Sequence, residues 1–96
     1  MKRKELYRDA IKLWGIELQF GMLTEECGEL LTAVNQWRRG RVLEMKVIEE
    51  MADVIIMIRQ VLVVMGREPD SKVLEEMIHK KLNKMEAHIK KKSFGR

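Results

Sequence analysis

The stretch EMKVIEEMADVIIMIRQVLVVM, residues 44–65, decides how this chain folds. Ten of the twelve residues in 54–65 are apolar, and wound as a helix they point in nearly every direction. The β-branched run Val54–Val64 would also suit a strand. It continues without a break from Glu44–Asp53, however, a strong helix-forming stretch, and this favours one helix over about 43–65 that ends at Gly66. A helix apolar all round must be buried all round, and a chain of 96 residues holds too few other helices to cover it. Self-association is the remedy. Burial returns ~25 cal/mol per Å² of apolar surface, so the faces through Ile56 and Val63 belong in an interface.

Outward from this segment the pattern stays helical. A first helix is predicted over roughly 3–14, with Leu6, Ala10, Ile11, Leu13 and Trp14 on one side. Gly15 and Gly21 then predict a break or kink. A second helix over about 17–38 carries an apolar stripe of Phe20, Leu23, Cys27, Leu30, Leu31, Val34 and Trp37, the i, i+3, i+4, i+7 spacing of a core-facing helix. Gly40 reads as its left-handed terminator. Asp70 or Ser71 caps a fourth helix that reaches about residue 91. No repeat, low-complexity linker or second-domain signal interrupts the chain. The expected fold is an all-α bundle of about four helices completed by dimerisation. It forms a single domain over 1–96, with a core at about 5–88 and a basic C-terminal tail at 89–96.

Composition supports a helical protein: 46% hydrophobic, 35% charged and one Pro. Five aromatics against eight Met leave aliphatic and thioether side chains to build the core. The net charge of +4 is unevenly spread. Residues 79–96 carry seven Lys/Arg against the single acid Glu86, while residues 1–78 are slightly acidic. A solvated helix end is the ordinary role of such a tail. Cys27, the one cysteine, has no intrachain partner and reads as a small core residue in a reducing compartment. No apolar region of signal-peptide type follows Met1–Lys4, and Val54–Met65 is too short to cross a bilayer. A cytoplasmic protein with no membrane partner is expected.

Two acidic clusters carry the chemistry: Glu25-Glu26-Cys27-Gly28-Glu29 and Glu49-Glu50-Met51-Ala52-Asp53. Acids three apart share a helix face, so their carboxylates converge. At ~100° per residue, Glu26 falls at the edge of its apolar stripe with Glu29 just beyond, and Glu50 and Asp53 share a face with Met57 and Val64. Four carboxylates from two antiparallel helices repel unless a cation lies between them. All-oxygen donors select Mg²⁺, Mn²⁺ or Ca²⁺ over Zn²⁺. Acid pairs at this spacing are also common on solvated helices, so spacing alone does not decide the matter.

The sequence Glu25-Glu26-x-x-Glu29, followed by twenty residues and Glu50-x-x-Asp53, resembles the paired motifs of the MazG-like nucleotide pyrophosphohydrolases, part of the all-α NTP pyrophosphatase superfamily. The likeness includes Trp14-Gly15, Glu26-Cys27-Gly28-Glu29-Leu30, Arg39-Gly40, Glu49-Glu50-Met51-Ala52-Asp53-Val54 and Lys81-Leu82, over roughly residues 11–86. It implies hydrolysis of a nucleoside triphosphate, or a related nucleotide, to monophosphate and pyrophosphate, in house-cleaning or nucleotide-pool control. It implies Mg²⁺, with Mn²⁺ as substitute, on Glu26, Glu29, Glu50 and Asp53. An acid activates water for attack at the α-phosphorus, and Glu25, Glu26 and Glu49 are candidates for that and for orienting water. Lys81, Lys84, Arg39 and Trp14 are candidate substrate contacts. Arg39 would equally serve, with Arg38 and Arg41, as a solvated helix end. Trp14 and Trp37 would stack on a base or, as is commoner at helical spacing, fill the core. Met85 and Ala87 depart from the polar last helix of the family. Relatives assemble as dimers or dimers of dimers, so a homodimer or homotetramer is implied.

Two other readings compete. A di-iron carboxylate bundle wants Glu-x-x-His on facing helices, and Glu76-Met77-Ile78-His79 supplies one copy, with Lys80 and Lys81 beside it to repel iron. A non-catalytic helical oligomerisation or nucleic-acid-binding module would use the basic tail, but the chain lacks a base-reading motif and aromatic interleaving.

Overall fold

In the computed structural model, which describes residues 1–94, four helices follow one another: α1 (Arg3–Trp14), α2 (Ile16–Arg38), α3 (Glu44–Val64) and α4 (Lys72–Phe94). No strand occurs among the described residues, and the segment that could have been a strand lies wholly within α3. The chain turns between α1 and α2 on Gly15 alone, at φ 84° and ψ 164°. Gly21, expected to share in that break, sits inside a continuous α2.

The other boundaries follow local chemistry. Past α2, Gly40 takes a positive φ of 73°. Its N–H donates to the Trp37 carbonyl at 2.9 Å and that of Arg41 to Gln36 at 2.9 Å, which satisfies the last carbonyls of the helix. The same pair of bonds closes α3, from Gly66 to Val63 and from Arg67 to Leu62. Of the two caps expected for α4, Ser71 serves: its Oγ accepts the Leu74 N–H at 3.4 Å. From there α4 continues through the expected tail to Phe94, while Gly95 and Arg96 of that tail lie outside the described residues.

A short connection, residues 39–43, folds α2 and α3 into a helical hairpin that forms most of the tertiary packing, and α1 lies against both. Among the described residues α4 packs against none of the other three. The buried side chains of α2 are Gln19 and Ala33, with Met22, Leu23, Glu26, Leu30 and Val34 half-buried around them. The packed face is therefore rotated by roughly 60°, at ~100° per residue, from the apolar stripe. Two expectations change with it. Glu26 lies in the middle of the packed face and not at its edge. Cys27, expected in the core, is exposed with Phe20 and Leu31. The cause is α3, whose buried positions are Val47, Glu50, Met57 and Gln60 and which meets α2 through its acidic side.

Much apolar surface stays open. Ile48, Met51, Ile55 and Ile58, at i, i+3, i+7 and i+10, form an exposed stripe along α3, and both Trp14 and Trp37 are exposed. The chain exposes 8091 Å², against ~5,800 Å² for a finished globule of this mass. Its radius of gyration is 17.1 Å, against ~12.5 Å for a compact domain of this length. No helix is long and apolar enough, among the described residues, to cross a membrane.

Candidate metal centre

The hairpin brings the two acidic clusters together. Glu26 and Glu29, one turn apart on α2, face Glu50 on α3, and one carboxylate oxygen from each lies within 4.8 Å of the other two. No other group of this kind occurs among the described residues. Glu50 is 5% exposed. Its Oε2 and the Oε2 of Glu26 are both buried without a hydrogen-bond partner. Buried carboxylate oxygens left unpaired are costly, and a cation between them is one remedy. The donors are all carboxylates on adjacent helices, so the residues present fit a hard divalent ion.

Asp53, the fourth expected ligand, is exposed and stands outside this close group, though its charge acts on Glu26. Desolvation raises the Glu26 pKa above its ordinary 4.5, and the charges of Glu29, Asp53 and Glu50 push it the same way. Across the site, the Lys46 ammonium lies 2.9 Å from Glu50 Oε1. The hydrogen bond and charge of Glu50 hold Lys46 above its ordinary range. The acid spacing does not single out Lys46; the signal for it is the i, i+4 offset from Glu50, which puts both on one face.

A shallow cavity of about 540 Å³ opens beside the acids, lined by Glu25, Gly28, Glu29, Thr32, Ala33, Gln36, Lys46 and Glu50. Of the candidate bases, Glu25 is on this lining and Glu49 is not. Of the candidate substrate contacts, none is. Trp14 lines a separate groove of about 600 Å³ between α1 and α3, with Leu6, Tyr7, Ile55, Ile56 and Gln60. Arg39 is the exposed C-cap of α2. Lys81 and Lys84 are exposed on α4, away from the acids of their own chain. Glu76 and His79, the pair a di-iron bundle would use, share a surface hollow on that same helix with Lys80 and have no helix packed opposite.

Fold and site together define an all-helical protein with a carboxylate centre between two helices of a hairpin. The chain belongs to the MazG nucleotide pyrophosphohydrolase family, whose domain model matches residues 16–92. That span holds all three clustered acids, Asp53 and α4 almost to its end. No curated protein and no solved structure matches the chain.

Proposed function

We propose that this protein hydrolyses a nucleoside triphosphate, or a related nucleotide, to the monophosphate and pyrophosphate with Mg²⁺ or Mn²⁺ held by Glu26, Glu29 and Glu50. Asp53, whose charge acts on Glu26, would complete the set. The observation that carries this reading is the pair of buried, unpartnered carboxylate oxygens on Glu26 and Glu50, in a chain of this family. A divalent cation there supplies charge to offset the polyphosphate and makes the α-phosphorus more electrophilic.

The chain's own residues divide the remaining work. Glu25, on the cavity wall beside Glu29, takes the proton from water as the water oxygen bonds to the α-phosphorus. The bond from that phosphorus to the bridging oxygen breaks, and pyrophosphate departs with the electron pair. Glu49 is the reserve for this role. Lys81 and Lys84 would reach such a site only from another copy of the chain, which fits a homodimer or homotetramer. Control of the cytoplasmic nucleotide pool is the corresponding cellular role.

A pyrophosphate-release screen over ordinary and modified nucleoside triphosphates, with Mg²⁺ or Mn²⁺, tests this. At least one nucleotide is expected to be cleaved by the unmodified protein and by Glu44→Gln, which lies outside both motifs, and not by Glu50→Gln. Undiminished release by Glu50→Gln would remove the site from consideration.

A further inference from the structure

We propose that Arg3, Lys4 and Arg59 form a second ligand site, one that takes a phosphate group, on the side of α3 opposite to the acid centre. The site goes beyond the pyrophosphohydrolase reading and does not depend on it. Arg59 is the one charged residue in the apolar run 54–65. It is half-buried, and among the described residues its side chain makes no ion pair or hydrogen bond. A cation drawn partly out of water without a counter-ion is unfavourable.

Its surroundings sharpen the imbalance. Arg59 lines a cavity of about 370 Å³ with Arg3, Lys4, Tyr7, Pro69 and Asp70. Three cations against one acid leave the wall at +2. Like charges gathered round one hollow repel, and a bound anion removes that repulsion. A phosphate group carries about −1.5 to −2 at pH 7, which balances the wall. Each guanidinium offers paired N–H donors that match phosphate oxygens. Lys4 is held by Glu68 at 2.6 Å, which leaves two of its three donors. Tyr7, 8% exposed, adds a phenol to the lining. The volume lies at the low end of ligand pockets, ~300–1,000 Å³, and suits one phosphate group, with the rest of any ester outside.

The acid cavity is a different place. The two cavities share no lining residue. Arg59 follows Glu50 by nine positions, which at ~100° and ~1.5 Å per residue is ~180° round α3 and ~13 Å along it. The lining also comes from three segments. Arg3, Lys4 and Tyr7 belong to α1, Arg59 to α3, and Pro69 and Asp70 to the connection that leads into α4. A phosphate bound among them ties these segments together, including the one that sets the course of α4.

Calorimetric titration of the metal-free protein tests this, with inorganic phosphate, inorganic pyrophosphate and adenosine monophosphate as probes and thermal melts to verify folding. At least one probe is expected to bind and to raise the melting temperature. Affinity should fall about tenfold in Arg3→Gln and in Arg59→Gln, the loss of a charge-assisted hydrogen bond in each. Should Arg59→Gln fail to fold, Arg3→Gln, at an exposed position, carries the test. Asp70→Asn should bind about threefold more tightly, since it removes the one negative charge on the wall. Lys12→Gln, off the lining, and Glu50→Gln, in the acid centre, should both match the unmodified chain. Inorganic phosphate binding as tightly as the monophosphate identifies the free ion as ligand, and a tighter monophosphate identifies a phosphate ester. No binding of any probe at millimolar concentration overturns the site. Binding that is unchanged in both arginine variants, or lost in folded Glu50→Gln, puts the anion elsewhere and overturns it as well. None of these outcomes touches the pyrophosphohydrolase reading, which the pyrophosphate-release screen decides separately.

Discussion

Taking Glu26 partly out of water and setting it among Glu29, Asp53 and Glu50 raises its pKa. The folded chain therefore holds a proton there more tightly than the unfolded chain does. The resulting stability is fully present below the ordinary carboxyl value of 4.5 and is lost as pH rises through the raised value. Near neutrality the metal-free site is thus a region of unrelieved repulsion. Glu26→Gln keeps the shape and removes the charge, so it should melt higher than the unmodified protein at pH ~7 in chelator. The gap should close as pH falls to ~4, where the carboxylates take up protons. Added Mg²⁺ should reverse the order, because only the unmodified chain gains from it. An equal gap in melts at both pH values would mean that repulsion is not the cause.

At the scale of the helix, the glycines separate by backbone and not by composition. Gly15 sits at φ 84°, ψ 164°, where a side chain is strained though no atom lies near. Gly21 lies inside α2 with open space around it. Gly15→Ala should therefore cost about 1–3 kcal/mol, and Gly21→Ala should gain up to about 1 kcal/mol. Denaturant unfolding measures both, and matching signs would show that the α1–α2 joint is not set by Gly15. The sequence makes the four helices legible because Gly15, Gly40, Gly66 and Ser71 punctuate them chemically. It makes the acid set legible because i, i+3 spacing survives any tertiary arrangement. Three features were hidden. The roughly 60° rotation of the α2 face, at ~100° per residue, was one, because counting apolar residues does not tell which side a neighbour will take. The place of Lys46 on the wall of the acid cavity was a second: its i, i+4 pairing with Glu50 is in the sequence, but which residues of α2 stand across from it is not. The isolation of α4 was the third: a periodic helix looks alike whether its partner is in its own chain or another.

The whole molecule has a surface and a radius too large for its mass. Its open stripe on α3, Ile48, Met51, Ile55 and Ile58, is exposed, as are Phe20, Leu31 and Trp37 of the α2 stripe. A second copy laid along these faces would bury what one chain leaves wet, at ~25 cal/mol per Å². Ile58→Glu changes a side chain already exposed in the single chain, so its own fold should tolerate the charge while association should not. Analytical ultracentrifugation at micromolar concentration should find the unmodified protein as a dimer or tetramer and Ile58→Glu shifted toward monomer. A well-folded 11.4 kDa species for the unmodified chain would defeat the proposed assembly.

The hairpin has a consequence for the order of assembly. Glu26 and Asp53, the outermost acids, frame only 28 residues of chain, and all of them lie in α2, the turn and α3. Contacts so close in sequence form early, because little loop entropy is lost in closing them. The carboxylates thus meet before α4 finds anything to pack against. A divalent ion held there as proposed would join two helices whose carboxylates otherwise repel at their contact. Metal capture as proposed would then depend on the concentration of the ion, while a docking of α4 and of the open apolar faces on a second copy would wait on the concentration of other chains.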